Sequence, residues 1–549
     1  MIKKFFESEA KTISSASLIL AFSYVVSALF GLIRERLLAG IFGAGNEIDI
    51  YYTAFTIPDF IALIFIFGAV ASAVIPIFNS HLIRSKQSAF DYLSNFFNVF
   101  FGFLIGLSIV LMLLAPFIID IIAPGFSAQK KELTVELMRI MFLSPIILGL
   151  SNVISGVLQV FHKFLITSLC PILYNIGIIT GIIFFEPRFG LKGLAFGVVF
   201  GALLHLLIQI PILISSGFKY SFTFNAKDPG IIKTIHLMIP RSIGLGAGQL
   251  NIIAITAIAS TLQSGSIAVF NFANNLASIF LNAVAVSIST AAFPSMSMAF
   301  LKEENESFLR KFSDITRQIL FLTIPASFLI FILRAQIVRV ILGVGRFSWI
   351  DTKLTTACLG ILAFNLTAQA LILFFSKSFY AAHNTKIPAI ISVVTVGCNI
   401  ILSLAFVGLI KASDAFSFFM QDIFRLNGLS NVAIAGIALA YTLVAIIESI
   451  ALFYFFRKKF PILKLKEISD AFKNIMLASL AMTAASVLVR HFLGFVLDLN
   501  IFWAVLLQLI LSAMVGILVY SYMAHIMKFS ELKIIKEYFL KKFLVKHGK

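Results

Sequence analysis

Long apolar segments, separated by short polar or glycine- and proline-containing connections, follow one another along almost the entire chain. A helix that crosses a lipid bilayer needs about 20 mostly apolar residues, and the segments reach or exceed that length. The pattern predicts about fourteen membrane-spanning helices. Their approximate bounds are 13–38, 50–79, 92–123, 134–160, 165–185, 190–215, 232–260, 266–298, 315–343, 354–380, 387–410, 431–456, 472–495 and 501–527. We therefore expect an all-α, polytopic membrane protein.

Composition agrees with this pattern and narrows the possible partners. Of the 549 residues, 60% are hydrophobic and 12% are charged, whereas about a quarter of the residues in soluble domains are charged. The formal net charge is +18, but the charges lie in short connections and in the C-terminal segment. That distribution is typical of contact with anionic lipids. The expected partner surface is the bilayer, and nucleic acid is not expected.

The basic residues also predict an orientation. They are concentrated in alternate connections, whereas the opposite connections, such as 43–49 and 263–266, carry few. The basic set is Arg84, Lys86, Lys163, Lys219, Lys227, Lys302, Arg310, Lys311, Lys386 and the run 457–466. Because Lys and Arg are enriched on the cytoplasmic side of membrane proteins, we expect both termini in the cytoplasm.

A weak internal repeat, offset by about 220 residues, suggests that the chain is built from two similar halves. It relates residues 68–80 to 285–297 and residues 160–176 to 381–400. Two six-helix lobes related by a pseudo-twofold axis, followed by two C-terminal helices, would account for it. The predicted domains are 1–218, 219–460 and 461–549. Paired halves around a cavity are typical of alternating-access transporters.

Several kinds of chemistry are not expected. The sequence has no phosphate-binding G-x-x-x-x-G-K-[ST] motif and no soluble segment long enough to hold a nucleotide-binding domain. It shows no catalytic Ser/His/Asp or paired-carboxylate arrangement and no metal-ligand spacing. Cys170, Cys358 and Cys398 lie singly in apolar segments and are expected to pack as small apolar residues. We expect a transporter, not an enzyme, with no cofactor, driven by an ion gradient, the membrane potential or the substrate gradient.

Polar residues within the predicted spans are candidates for function, because ionisable groups are costly in lipid. Most charged residues fall near span ends, where snorkelling to the interface explains them. Glu448 is more central and either couples to ions or is paired locally. His205 and Gln209 share a helix face and are expected to bond a neighbouring helix.

The first spans of the second half are polar in a different way. Arg241 is expected to anchor its span at the cytoplasmic boundary, and Gln249 follows a run of small residues. In the next span, three asparagines within about one turn make a neutral hydrogen-bonding face, which we expect to line the cavity or contact the other half. They are Asn271, Asn274 and Asn275.

The stretch "IRERLLAGIFGAGNEID" (33–49) places charges between two apolar segments. Arg34 and Arg36 are either interfacial anchors or part of a polar pathway. They lie about 200° apart on a helix, so they cannot both face one cavity. Gly43 and Gly45 are expected to make the turn that brings Asp49 back towards the same end.

Residues 31–78 resemble the MurJ/MviN family, whose members are lipid II flippases of the multidrug/oligosaccharidyl-lipid/polysaccharide superfamily. The resemblance rests on Arg34-Glu35, the motif "FGAG" (42–45), "DIYYTAFTIPD" (49–59) and "GAVASAVIP" (68–76), with further similar segments along most of the chain. It implies a V-shaped opening between two six-helix lobes and a lipid-tail groove beside the last two helices. It also implies a monomer in the bacterial cytoplasmic membrane and a lipid-linked anionic substrate.

The resemblance further implies roles for individual residues. The substrate-binding set is Arg34, Asp49, Asn271, Asn274, Asn275 and Gln249, with Arg34 pairing with phosphate and the asparagines bonding sugar. The gating or structural set is Glu35, Gly43, Gly45, Pro58, Asp59 and Arg241. The function it implies is translocation of a polyprenyl-pyrophosphate-linked peptidoglycan precursor by alternating access.

The chain departs from the family in its cavity charges. Of the family's cavity arginines, the one at Arg34 is kept, whereas other charged positions fall on Ala28, Ala62-Leu63, Phe67 and Asn274-Asn275. Two alternatives therefore stay open. One is transport of another lipid-linked oligosaccharide or an amphipathic substrate, and the other is a non-transporting membrane scaffold.

Overall fold

A computed structural model describes residues 13–67, 70–426, 428–429 and 432–532, and for 13–21, 65–67, 70–72 and 240–247 it describes the backbone alone. Every regular element in these ranges is helical. Contacts divide the chain into two units, Met1–Ala268 and Val269–Lys549. The domain boundaries at 218/219 and 460/461, which rest on the repeat, describe a different division and stay predictions.

The first unit consists of eleven α-helices and the start of a twelfth within the described ranges. Their bounds are α1 Ile13–Phe42, α2 Asn46–Ile61, α3 Val70–Arg84, α4 Lys86–Ile122, α5 Ala128–Met141, α6 Leu143–Val160, α7 Phe164–Thr180, α8 Glu186–Phe189, α9 Lys192–Leu207, α10 Ile210–Ser215, α11 Pro229–Ser260 and α12 Ser266–Leu281. Two π-helical segments, Ala62–Phe67 and Gly181–Phe185, follow α2 and α7.

The second unit continues from α12 through a third π-helical segment, Asn282–Val286. Its further helices are α13 Ser287–Leu301, α14 Asn305–Ile341, α15 Trp349–Ala381, α16 Lys386–Ala412, α17 Asp414–Phe424, α18 Ala433–Lys459, α19 Leu465–Val496 and α20 Phe502–Ile526. These helices are joined by short connections, so consecutive long helices run antiparallel.

Within the described residues, eleven helical segments are long and apolar enough to cross a membrane, and each matches a predicted span. The remaining three predicted spans, 13–38, 50–79 and 232–260, fall on stretches that include side chains outside the description. The prediction of an all-α polytopic membrane protein is confirmed. The helices extend further than hydropathy indicates: α14 begins at Asn305, ten residues before the predicted span at 315, because its first turns are polar and amphipathic.

Each unit has its own aromatic-rich core. In the first unit, α3, α4 and α6 bury a cluster around Phe78, Phe90 and Phe96. In the second, Phe312 on α14 stacks on Phe456 of α18 with ring centroids 4.0 Å apart. Stacked and edge-to-face rings stabilise helix contacts by packing, which matters where lipid removes the hydrophobic drive between helices. Cys170 and Cys358 are buried and Cys398 is half-buried, in keeping with the predicted packing role.

Candidate functional site

Arg34 lies in α1, and its guanidinium contacts two other side chains. Nη2 donates to Oε1 of Glu35 at 2.7 Å, and Nη1 donates to Oδ1 of Asn175 on α7 at 3.1 Å. The third guanidinium nitrogen, Nε, is buried and its N–H has no acceptor among the described residues. The side chain as a whole is 24% exposed. Arg34 therefore combines an ion pair with Glu35 and an Nε–H donor that has no acceptor among the described residues.

Glu35 is the most buried member of this group, with its side chain 5% exposed. Its second carboxylate oxygen, Oε2, accepts a hydrogen bond of 2.6 Å from the hydroxyl of Tyr52 on α2. A buried carboxylate is tolerated when both oxygens are hydrogen-bonded and a cation is adjacent. The Arg34 network, defined as Arg34, Glu35, Tyr52 and Asn175, thus connects α1, α2 and α7.

Asn175 is oriented for its part in the network by its own helix. Its Nδ2 donates at 3.1 Å to the carbonyl of Pro171, which lies inside the same helix. Because the amide nitrogen is held there, Oδ1 is turned towards Arg34. Asn175 corresponds to Asn399 in the internal repeat, but that correspondence did not predict a place for it in the site. A buried amide within an apolar span was the signal that could have identified it.

Asp49 lies in the first turn of α2 and is only 2% exposed. Its Oδ2 accepts from the backbone N–H of Gly265 at 2.7 Å, and its Oδ1 accepts from that of Ala268 at 2.9 Å. These are amides at the N-terminus of α12, which have no partners within the helix and carry partial positive charge. The structure therefore places Asp49 as a cap on α12. Because both of its carboxylate oxygens accept backbone hydrogen bonds there, Asp49 is a positioning residue for that helix.

The turn that holds Asp49 has the glycines predicted for it. Gly43, which follows the last residue of α1, has φ +67°, a backbone angle that residues with a side chain rarely adopt. Gly45 directly precedes α2. Across from it, Gly265 has φ +88°, and a Cβ there would collide with the carbonyl oxygen of Ala44. The two turns pack backbone against backbone, which allows the carboxylate to reach the α12 amides.

Two further predicted residues meet further along α2. Gln249 on α11 donates from Nε2 to Oδ2 of Asp59 at 3.4 Å. Asp59 follows the buried Pro58 and precedes the π-helical segment Ala62–Phe67. Such single-turn π segments occur often at functional positions. The side chain of Arg241, also on α11, lies outside the described residues.

The three asparagines predicted to form one face lie on α12 and belong to the second unit. Asn271, Asn274 and Asn275 are all half-buried, whereas the flanking Phe272 and Ala273 are fully buried. The asparagines therefore lie on the less buried side of α12. Asn271 and Asn275 each already have an interaction partner.

Comparison with known proteins decides the class. The family model described as "Lipid II flippase MurJ" matches residues 38–508. The chain belongs to this family. A probable lipid II flippase MurJ of Buchnera aphidicola subsp. Schizaphis graminum (strain Sg) is 31% identical over 379 residues, which cover 68% of this chain and 73% of that protein. The relative from Rickettsia prowazekii (strain Madrid E) is 28% identical over 403 residues, 73% of this chain and 79% of its own.

Solved structures agree. A lipid II flippase MurJ in an inward closed conformation has a TM-score of 0.73 and 25% identity, and the match covers 93% of this chain and 98% of that one. An inward-facing multidrug resistance MATE family transporter of the MOP superfamily has a TM-score of 0.64 at 14% identity, covering 82% of this chain and 99% of that one, so it shows the fold alone. Membership in the MurJ family confirms a multi-pass membrane transporter and not an enzyme.

Two other polar positions of this MurJ family member are accounted for locally. His205 on α9 and Gln209, which lies between α9 and α10, bond α6, the neighbouring helix. Ser151 Oγ lies 2.6 Å from His205 Nδ1, and Ser155 Oγ donates to Gln209 Oε1 at 2.8 Å. Glu448 on α18 accepts from Ser392 Oγ of α16 at 2.8 Å, which favours the local-pairing interpretation of that carboxyl.

Proposed function

We propose that this protein is a flippase that translocates lipid II, a polyprenyl-pyrophosphate-linked peptidoglycan precursor, across the bacterial cytoplasmic membrane by alternating access. The observation that carries the proposal is the family match, which extends over residues 38–508. The relatives from Buchnera and Rickettsia bear the same name. We further propose that both termini are cytoplasmic and that the protein acts as a monomer, driven by an ion gradient or the membrane potential.

In this proposal Arg34 is the phosphate-binding residue. A guanidinium can donate two parallel hydrogen bonds to phosphate oxygens, which makes Arg the most suitable side chain for a pyrophosphate-linked headgroup. Nη2 is now occupied by Glu35 and Nε–H is unpaired. An incoming phosphate would take Nε–H and compete with Glu35 for Nη2.

Glu35 makes this exchange reversible. When phosphate displaces it from Arg34, its other oxygen stays bonded to the hydroxyl of Tyr52, so the carboxylate remains fixed and ready to return. When the headgroup leaves, reformation of the Arg34–Glu35 pair replaces the lost phosphate contact. Exchange between two anionic partners keeps Arg34 neutralised throughout the cycle, and the Tyr52 bond stabilises the carboxylate of Glu35 while phosphate holds Arg34.

The remaining proposed substrate contacts are neutral. Asn271, Asn274 and Asn275 would bond sugar hydroxyls, since amides both donate and accept. Gln249 would contribute in the same way once released from Asp59. Asp49 acts indirectly, because its cap fixes the start of the helix that carries the asparagines.

Complementation tests the function directly. The chain is expressed in bacteria depleted of their own lipid II flippase, and membrane insertion is checked by immunoblotting of the membrane fraction. We expect restored growth and restored lipid II exposure on the outer face. Correct insertion without restored lipid II exposure would overturn the proposal.

A further inference from the structure

A cavity in the second unit gathers basic side chains from several elements. Its volume is about 870 Å³, within the range of small-molecule sites. It lies where the C-terminal parts of α14 and α19 meet the N-terminal parts of α15 and α20 and the end of α17. Its cationic lining residues are Arg334, Arg339, Lys353, Arg425 and Arg490, with His491 beside them. We call these five cations and the space they surround the basic cavity.

Among the described residues, no salt bridge of 4.0 Å or less involves a cation of the basic cavity. No aspartate or glutamate is among its lining residues, all of which lie in the described part of the chain. The bonds that hold the arginines go to neutral groups: Arg339 Nη2 donates to the carbonyl of Leu499 at 2.6 Å, and Arg490 Nη1 donates to that of Ile332 at 2.7 Å. These bonds fix the guanidinium positions without cancelling their charge.

Aromatic rings hold two of the cations in the same way. The guanidinium carbon of Arg334 lies 4.5 Å from the ring centroid of Phe331, and that of Arg339 lies 5.9 Å from that of Trp349. Cation–π contacts orient a charge and leave its outward N–H groups available. Several like charges in one cavity repel each other, and the natural compensation is a bound anion carrying more than one negative oxygen.

Three residues that line the basic cavity carry buried polar atoms without a hydrogen-bond partner among the described residues. The atoms are Thr356 Oγ1, Thr483 Oγ1 and Gln336 Oε1. Buried polar atoms are nearly always hydrogen-bonded, and each one left unpaired costs about 1–3 kcal/mol. A ligand with donors as well as acceptors, such as a phosphate ester bearing hydroxyls, would satisfy them.

The depth of the cavity in the membrane indicates which kind of phosphate-bearing molecule it would bind. The chain has two tryptophans, Trp349 and Trp503. They stand at the N-terminal ends of α15 and α20, and they are 61% and 71% exposed. Tryptophan is enriched at the headgroup level of bilayers. Nearby on α19, Phe492 and Phe495 are exposed apolar side chains suited to acyl tails.

From the uncompensated cations, the unpaired buried hydroxyls and the position at headgroup level, we propose that the basic cavity binds the phosphate-bearing headgroup of a membrane lipid. In the predicted orientation the lipid belongs to the outer leaflet, where arginine is otherwise disfavoured. The site lies wholly within the second unit and is separate from the Arg34 network. It goes beyond the proposed function and does not depend on transport.

The test is lipid binding to the purified full chain in detergent, measured by native mass spectrometry. The ligands are phosphatidylglycerol, a polyprenyl diphosphate, phosphatidylcholine and inorganic pyrophosphate. The test variant is Arg334→Gln with Arg425→Gln. Arg334 donates to a carbonyl of its own helix, that of Phe331, so this variant leaves the bonds of Arg339 and Arg490 in place. The matched control is Arg346→Gln with Lys411→Gln, two exposed cations at the same end that do not line the cavity.

We expect the wild type and the control to bind an anionic lipid about tenfold or more tightly than phosphatidylcholine, and the test variant to lose that preference. A preference for phosphatidylglycerol would identify a resident phospholipid, and a preference for polyprenyl diphosphate would identify a cargo-type lipid; both support the site. An equal loss in the control, or pyrophosphate binding as tightly as either lipid, would overturn it. Because no transport is measured, failure of complementation and failure of this proposal are distinguishable.

Discussion

Arg34 and Asp49 come from one short stretch of sequence, yet the structure treats them in opposite ways. Asp49 is 2% exposed, and each of its oxygens accepts a backbone N–H. Arg34 is 24% exposed, and its Nε–H has no acceptor among the described residues. A charged group with every bond satisfied by the backbone holds the fold, whereas a charged group with a spare donor can exchange partners. The comparison agrees with a stabilising role for Asp49 and with the proposed role of Arg34 in binding cargo.

The largest effect is expected from Asp49→Ala. It leaves the amides of Gly265 and Ala268 buried without acceptors, and hydrogen bonds to a charged group are worth about 1.5–3 kcal/mol each. We expect a loss of about 3 kcal/mol or more, seen as a lower thermal midpoint of the purified protein and less protein in the membrane fraction. The control is Glu47→Gln, which removes an exposed carboxylate from the same turn. Equal midpoints for the two variants would remove Asp49 from its capping role.

Arg34→Ala is expected to abolish complementation while the protein still inserts. Because that change also leaves Glu35 without its cation, Arg34→Lys serves as a second variant that keeps the positive charge but not the planar guanidinium that bonds phosphate bidentately. We expect both variants to fail in lipid II exposure and Arg34→Lys, which keeps a cation beside Glu35, to keep a near-normal thermal midpoint. Arg36→Ala, about 200° around the helix, should be mild. Equal tolerance of the Arg34 and Arg36 changes would mean that the pair only anchors the helix.

The fold was largely predictable from the chain because one physical requirement, about 20 apolar residues for each crossing, repeats along it. Eleven predicted spans correspond to observed segments. The ends were less predictable: α14 starts at Asn305 in a polar turn, where hydropathy carries no signal. Individual site residues were also within reach, since Arg34, Asp49 and Asp59 are charges in apolar surroundings.

The pairings could not be predicted. Arg34 and Asn175 are 141 residues apart, and Asp49 and Gly265 are 216 apart, so only tertiary packing brings them together. The basic cavity was missed for a related reason. Its cations lie near the ends of several different elements, where each one alone is explained by snorkelling. What they share is one cavity whose lining residues include no carboxylate, and that arrangement can be recognised only in the folded structure.

Tyr52→Phe sharpens the comparison from within the Arg34 network. It removes the donor to Glu35 Oε2 and leaves Arg34 in place. The carboxylate of Glu35 then has no hydrogen bond from Tyr52 to hold it during the proposed exchange. We expect reduced but measurable lipid II exposure and a stability loss of about 1.5–3 kcal/mol. Tyr51→Phe is the matched control, because its ring neighbours that of Tyr52 at 5.5 Å. Transport equal to the wild type in Tyr52→Phe would show that Glu35 does not need this anchor.

The smallest effect is expected at Gln249, which makes a weak contact within the fold, like Asp49 in kind, and is also proposed to bind cargo, like Arg34. Its bond to Asp59 is 3.4 Å long, near the limit at which a hydrogen bond contributes, so Gln249→Ala should lower stability by about 1 kcal/mol or less. If Gln249 is released to bond cargo, the same variant lowers lipid II exposure more than its stability loss explains. Gln249→Glu separates the two roles, because a second carboxylate facing Asp59 adds like-charge repulsion. We expect Gln249→Glu to be clearly less stable than Gln249→Ala, and equal thermal midpoints would show that the Asp59 contact does not hold α2 to α11.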